Sequence, residues 1–493
     1  MLIWFLPVFL VLIMIGLPVF FALLAAPGAL LIALGQERDI AVLYRNVYNG
    51  MDSFPLMALP FFMLAGEIMN RGGTTTRLVD FSQAIMGHLR GGLAHVNILS
   101  SFLFAGMSGS AVADVSALGS TLIPAMEKNG YTRRFAAAIT AASSVIGPII
   151  PPSGIMIIYA YVMGESVAAL FLAGIVPGIL IGVGLMLTVR LLADRYNLPK
   201  AERIVHKNQT ITALENWVSF VLLRINFAGL LYAFSAFFRP AGMSATLGWG
   251  LFAIFLIVAH GFMLWMRTQV SPDFRLIAKK AVAPLQTPII ILGGILIGVS
   301  TPTEASAVAV AYALIISFFV LRSLKISDLA GVLSRSALAT SAVLLLVGAA
   351  VAFKTVVSLS YAPQILTDAI LGLSDNPLIL LFLINILLFV VGMFLDAGPA
   401  IIILGPILGP IFVQLGVHPV HFAMIMSVNL TVGLATPPMG LVLFVASGVS
   451  GEKVESIVRA ILPFLAVEIA VIFLITYFPF ISMTIPRMTG FVQ

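Results

Sequence analysis

The chain has 493 residues, 60% of them hydrophobic and only 9% charged, with a mean hydropathy of +1.12. Soluble domains carry about 25% charged residues, so a soluble globular protein is excluded and a polytopic helical membrane protein is expected. The formal net charge of +6 fits Lys and Arg gathered in cytoplasmic loops; no basic tract or motif points to nucleic acid, and the lack of cysteine excludes disulfides, thiolate metal sites and cysteine nucleophiles.

In chain order, the opening MLIWFLPVFLVLIMIGLPVFF has no basic flank and reads as a retained span, not a cleaved signal. Apolar runs follow at about 3–34, 54–70, 91–127, 135–162, 167–189, 217–238, 244–266, 284–321, 336–353, 376–413, 422–449 and 460–483. One span needs only about 20 residues. Runs 3–34 and 284–321, and the Gly/Pro-broken pair 91–127 and 376–413, are therefore expected as two helices each or as re-entrant hairpins.

Residues 106–177 laid without gaps on 392–463, a shift of 286, match at 17 of 72 positions. Nine of the matches are Gly or Pro: Gly106/Gly392, Gly119/Gly405, Pro124/Pro410, Gly130/Gly416, Gly147/Gly433, Pro151/Pro437, Pro152/Pro438, Gly154/Gly440 and Pro177/Pro463. Apolar composition produces chance Leu and Ile matches, but it does not align backbone-breaking residues. The chain holds two copies of one unit. A weaker match at a shift of 282 pairs Gly16 with Gly298 and Gly66 with Gly348.

Basic residues set the orientation of the copies. Loop 127–134 holds Lys128, Arg133 and Arg134, and its partner 413–420 holds no Lys or Arg; loop 163–168 holds none, and its partner 449–459 holds Lys453 and Arg459. Positive loops stay inside, so the expectation is two inverted repeats. These are 1–195 with a hairpin at about 91–127, and 281–493 with a hairpin at about 376–413. Between them, segment 196–280 carries two extra spans. Arg90 and Lys128 flank the first hairpin on the same side, loop 190–207 (Arg190, Arg195, Lys200, Arg203, Lys207) and segment 275–280 are both inside, and the N-terminus is traced to the outside.

Four breaks interrupt apolar helices: GMSGSAVAD (106–114), IGPIIPPSG (146–154), GMFLDAGPA (392–400) and VGLATPPMG (432–440). Irregular backbone is tolerated in a bilayer only where it is buried in protein or lines a cavity. Proline removes amide donors and ends helices, which frees carbonyl oxygens at one half-helix end and amides at the next. Carbonyls suit a hard cation such as sodium; amides and positive dipole ends suit an anion. The polar side chains at the breaks are Ser108, Ser110, Asp114, Ser153, Asp396 and Thr436, and Ser110 and Asp396 share one repeat position. An intramembrane carboxylate is a functional candidate. The reading is two cation sites, one between 106–114 and 147–154 and one between 392–400 and 433–440, with an anionic substrate between them. Helix packing by glycine, a bond from Ser153 to its own helix backbone, and Asp114 capping a helix or pairing with an Arg are the structural alternatives.

Other polar residues in the spans read as structural. Glu304 caps or braces its helix; Glu67, Asn385, Asn429 and Glu468 read as interhelical hydrogen-bonding groups; Arg224 snorkels or meets another subunit. The six histidines show no metal spacing, there is no Walker A motif, and the string from Gly106 to Ser110 lacks the second glycine and the histidine partner of a hydrolase. No enzyme chemistry is expected.

The ordered set GMSGSAVADVSALGSTLIPAMEKNGY, IGPIIPPSG, STPTEA and ATPPMG resembles the large membrane subunit of tripartite ATP-independent periplasmic (TRAP) transporters, over about 1–195 and 280–490. The resemblance implies an all-α elevator-type transporter in the bacterial inner membrane, importing an organic acid anion by sodium symport. It implies a periplasmic substrate-binding protein and a small four-helix membrane subunit as partners, and sodium as coupling ion with no other cofactor. Family sodium sites carry over to Ser108, Gly109, Ser110 and Asp114 with Pro151, Pro152 and Ser153, and to Asp396, Gly398 and Pro399 with Gly433, Thr436, Pro437 and Met439. The side-chain reading places the first ion at Ser108, Ser110 and Ser153 and the second at Asp396, Gly433 and Thr436. A stand-alone sodium–dicarboxylate or citrate-type symporter is the alternative; an assembly or sensor subunit without transport is the other.

Residues 205–270 depart from the family pattern as an apparent insertion, expected to extend the scaffold, touch the small subunit or partly replace it. Deleting 210–268 should then impair assembly with the small subunit or uptake in liposomes; a deletion mutant unchanged in both refutes this role.

Overall fold

In the structure, a computed structural model describing residues 4–33, 35, 37–199, 211–235, 245–359, 372, 374 and 376–492, every regular element among those residues is helical. Helices α1 (Phe5–Met14), α2 (Val19–Ala33), α3 (Glu37–Met51), α4 (Ala58–Arg71) and α5 (Thr74–Met86) come first. Then follow α6 (Gly92–Ser108), α7 (Ala111–Lys128), α8 (Arg133–Ser144), α9 (Gly154–Met163) and α10 (Val167–Leu192). Helices α11 (Ala213–Ser235) and α12 (Ala245–Gln269) precede α13 (Pro272–Leu296), α14 (Pro302–Ile315), which runs into a π-helical turn, and α15 (Ile326–Leu359). The chain ends with α16 (Pro377–Phe394), α17 (Ala397–Gln414), α18 (Pro419–Gly433), α19 (Leu441–Ser450), α20 (Val454–Tyr477) and α21 (Phe480–Met488). Lys200, Arg203 and Lys207 of the basic loop, and 236–244 between α11 and α12, lie outside the described residues.

Nine helices among the described residues are long and apolar enough to cross a membrane, and the pair α3–α4, bent by 58°, passes the same test jointly. The chain is thus an all-α polytopic membrane protein. Runs 3–34 and 284–321 each divide into two helices, and runs 91–127 and 376–413 divide at Gly109–Ser110 and Leu395–Asp396. Hydropathy did not foreshadow α3 and α5. Both are amphipathic, ERDIAVLYRNVYNGM and TTTRLVDFSQAIM, so their polar faces interrupt any apolar run.

Shifted by 286, helices α6 to α10 fall in order on α16 to α20. Gly130 and Gly416, at φ +88° and +85°, make the same left-handed turn between the second hairpin helix and the broken helix that follows. The packing is reciprocal: α7 lies on α19 while α17 lies on α9, and α8 lies on α20 while α18 lies on α10. These ten helices and α21 form one layer. The other contains α1 to α5 and α11 to α15, with α3 against α15 and α4 against α14. One hydrophobic core runs through both layers.

Buried hydrogen bonds tie each hairpin to the broken helix beside it. Asn97 Nδ2 donates to Thr140 Oγ1 (2.6 Å), and Ser101 and Ser143 pair through their hydroxyls (2.8 Å). In the second copy Asn429, at the repeat position of Ser143, donates to Asn385 Oδ1 (2.6 Å), which also accepts from Thr476 Oγ1 (3.1 Å). Asn385 and Asn429 therefore fill the interhelical role expected of them. Glu468 does not: it is fully buried and neither carboxyl oxygen has a hydrogen-bond partner among the described residues.

The pair α11–α12 leans on α5 and α13 of its own layer through polar contacts. Glu215 of α11 meets Arg77 of α5, Ser219 Oγ donates to Lys279 O (2.7 Å), and Asn226 Nδ2 donates to Gln286 Oε1 (2.7 Å). Arg224 finds its partners inside the pair, donating to His260 Nδ1 (2.9 Å) with its guanidinium 3.3 Å from the Phe220 ring centre. Arg335 of α15 donates to Glu67 of α4 (2.5 Å), and Glu304 closes a capping box with Thr301 at the start of α14.

One close helix approach is glycine on glycine. A methyl group at Gly433 would lie 2.6 Å from the Gly392 backbone, so α16 and α18 touch main chain to main chain. Gly433→Ala should lower stability by about 1–3 kcal/mol, the usual cost of overpacking. Gly229→Ala in α11, where a methyl meets nothing within 4 Å, should leave stability unchanged or slightly raised. Thermal unfolding of the detergent-purified protein compares the two.

Candidate functional site

The first hairpin turns at Gly109, whose φ of +59° is left-handed and suits glycine. Ser110 then takes extended backbone angles and caps α7, its Oγ accepting from Ala113 N (3.4 Å). The tip rests on the broken helix opposite: a methyl at Gly109 would sit 2.8 Å from Pro152 O and 3.5 Å from Ser153 Cα. No side chain fits there, so backbone faces backbone, and Gly109, Pro152 and Ser153 lie together.

Asp114 lies in the first turn of α7 and is fully buried. Ser108 Oγ donates to its Oδ1. Its Oδ2 has no hydrogen-bond partner among the described residues and points at the broken helix, where a methyl on Gly147 would be 2.5 Å away. A buried carboxylate oxygen without a donor costs several kcal/mol unless a proton or a cation meets it. This orphaned oxygen, beside hydroxyls and the carbonyl-rich break, is the donor chemistry a sodium ion takes.

The break itself spans 145–153 between α8 and α9. Consecutive prolines 151 and 152 supply no amide donors there, and the Pro151–Pro152 peptide is cis. Ser153 is buried, donates to Pro148 O and caps α9 by accepting from Met156 N (3.4 Å). At its other end α9 is met by an intramembrane cation: Lys354 Nζ of α15 donates to Val162 O (2.5 Å), in the last turn where the helix dipole is negative.

The second tip uses the same positions with different chemistry. Asp396 stands where Ser110 stands and caps α17, its Oδ1 accepting from Ala397 N (2.7 Å). Unlike Asp114 it is exposed. The hairpin meets the break at 434–440 through main chain: Gly440 N donates to Met393 O (3.1 Å), and Gly392 lies on Gly433. Thr436 is buried and donates to Val432 O (2.9 Å), which leaves oxygen lone pairs available. Pro437 is half-buried, Pro437–Pro438 is cis, and Met439 is 52% exposed. Gly398 is buried, with Ile158 of α9 3.7 Å from a methyl built there, and Pro399 beside it is half-buried.

Three participants escaped the residue-by-residue expectation. Gly147 abuts Asp114, although its match to Gly433 marked it. Met393 supplies the carbonyl that holds Gly440, and as a main-chain role it leaves no side-chain signal. Lys354 directly follows the apolar run 336–353, and only the fold shows what it faces.

Ser108→Ala would leave Asp114 without any donor. It should cost about 1–3 kcal/mol, more than Ser120→Ala, which loses only an exposed bond to Ala117 O within its own helix (2.9 Å). Melting curves of the two variants side by side test this.

Residues 6–481 match the family model described as the tripartite ATP-independent periplasmic transporter, DctM component. The chain is 35% identical over 465 residues, 94% of each chain, to the 2,3-diketo-L-gulonate TRAP transporter large permease protein YiaN of Escherichia coli strain K12. It is 34% identical over 473 residues, 96% of this chain and 95% of the other, to the sialic acid TRAP transporter large permease protein SiaM of Vibrio cholerae. Its fold resembles the crystal structure of the YdaH transporter of Alcanivorax borkumensis, with a TM-score of 0.55, 16% identity, and 89% and 88% of the two chains covered.

Proposed function

This chain belongs to the DctM family, the large permease subunits of tripartite ATP-independent periplasmic transporters, and on that premise we propose that it imports an organic acid anion by sodium symport. It is a transport subunit and not an enzyme. A periplasmic substrate-binding protein delivers the anion, and a small four-helix membrane subunit accompanies the chain in the inner membrane. The two relatives named above are described as carrying 2,3-diketo-L-gulonate and sialic acid, both carboxylate-bearing acids. This supports an organic acid without fixing which one.

The observation that carries the reading is the contact of the first hairpin tip with the broken helix, with the free Oδ2 of Asp114 buried beside it. In this proposal Ser108, Ser110 and Ser153 ligate one sodium ion, and Asp396, Gly433 and Thr436 ligate a second. A hard cation takes oxygen ligands, and the breaks gather hydroxyls, a carboxylate and main-chain carbonyls. The amide ends of α9 and α19 are left for the anion. Binding cation and anion together reduces the charge that must enter low dielectric, which is why one ion drives the other. With more sodium charges than substrate charges, transport is electrogenic. The inverted repeats, the external N-terminus and an elevator movement of the α6–α10 and α16–α21 layer complete the proposal.

Asp396→Ala or Ser110→Ala should reduce sodium-dependent uptake into liposomes at least about tenfold, a loss of about 1.4 kcal/mol in coupling, with the melting temperature nearly unchanged. Uptake that keeps its rate and its sodium dependence removes these residues from the ion sites. Uptake by the purified chain without any binding protein selects the stand-alone symporter instead.

A further inference from the structure

A pocket of about 540 Å³ opens far from the hairpin tips, between the start of α6 and the last turns of α10. Four basic side chains line it, His88, Arg90, His95 and Arg190, together with apolar groups that include Val183 and Leu187. Among the described residues no carboxylate is in the lining. The nearby acid, Asp194, pairs with Arg90 from the rim, where its side chain is 80% exposed. His95 is buried, and the chain after α10 is pinned beside the pocket by Gly91 N donating to Pro199 O (3.1 Å). The pocket is built, positively charged and short of counter-charge.

Its surroundings identify the source of the missing anion. Along α10, on either side of and including the lining residues Val183 and Leu187, Ile179, Val183, Leu187 and Leu191 are exposed by 42%, 47%, 59% and 80%. They recur every four residues and form one apolar stripe, about 18 Å long at 1.5 Å per residue. A soluble anion has no use for such a stripe, whereas an acyl chain follows it. The level is also right: Arg190 sits at the end of a 26-residue helix long enough to span the bilayer, so the basic groups lie at headgroup depth. Basic pockets between helices on the positively charged side of a membrane protein suit acidic lipid headgroups, and the guanidinium fork suits phosphate.

We propose that this pocket binds an acidic phospholipid, its phosphodiester held by Arg90, Arg190 and His88 and one acyl chain laid along the Ile179–Leu191 stripe of α10.

The test uses the full-length protein in nanodiscs. Phosphatidylglycerol in a phosphatidylcholine background should slow hydrogen exchange at 86–95 and 183–190 of the wild type at least about tenfold, and pure phosphatidylcholine should not. Native mass spectrometry should find one phosphatidylglycerol retained by the wild type and by Arg459→Gln, and lost from the double variant His88→Gln/Arg190→Gln. Exchange that phosphatidylglycerol leaves unchanged overturns the proposal. So does the same protection from inorganic phosphate alone, which would make the pocket a site for a soluble anion. Because the exchange arm needs no variant, a misfolded double mutant does not remove the test.

Discussion

A polypeptide in hydrocarbon must satisfy its own backbone, and the rest of this structure follows from where it fails to do so by helix alone. Four segments leave the helical pattern, and all four are paired with other protein. The tip at Gly109 lies on Pro152 and Ser153; Gly440 donates to Met393; Ser153 donates to Pro148. Unpaired, each of these groups would cost several kcal/mol in a bilayer. The breaks can exist only because hairpin and broken helix face each other, and that is also what gathers oxygen atoms into places an ion can use.

The same constraint sorts the two layers. Helices α6 to α10 and α16 to α20 carry the breaks, and their interfaces are polar, close and rich in glycine: Asn97 with Thr140, Asn429 with Asn385, Gly392 with Gly433. Small residues and hydrogen bonds hold helices together where lipid offers no hydrophobic incentive. The outer pair α11–α12 has no breaks. It is attached by a few polar contacts, and its remaining surface is exposed and apolar: Leu247, Trp249, Ile257 and Trp265.

Much of this was legible because glycine and proline speak for the backbone directly. Of the nine Gly/Pro matches at one register, Gly147/Gly433, Pro151/Pro437, Pro152/Pro438, Gly154/Gly440 and the left-handed pair Gly130/Gly416 fall at helix ends and turns, whereas Gly119/Gly405, Pro124/Pro410 and Pro177/Pro463 lie inside helices. The shared position of Ser110 and Asp396 has a local meaning too, since both cap the second hairpin helix. Side-chain company was harder to read. Sequence could name Asp114 as an intramembrane acid, but not that Ser108 takes one oxygen and leaves the other facing Gly147. It led to an interhelical hydrogen-bonding role for Glu468, and no described residue supplies the partner. It passed over α3 and α5, because hydropathy averages away a helix with one polar face. Contacts between distant segments depend on tertiary packing, and one sequence records them only where they demand a particular residue type.

The ion pairs between early and late helices bear on how the chain is made. Arg77 is synthesised 138 residues before Glu215, and Glu67 comes 268 residues before Arg335. At synthesis rates of about 5–20 residues per second, Glu67 waits roughly 13–54 s for its partner. Until then the nearest cation on its own helix is Arg71, one turn further on. The ion pair that seats α4 against α15 therefore closes late, and the second half completes the first rather than being added to it.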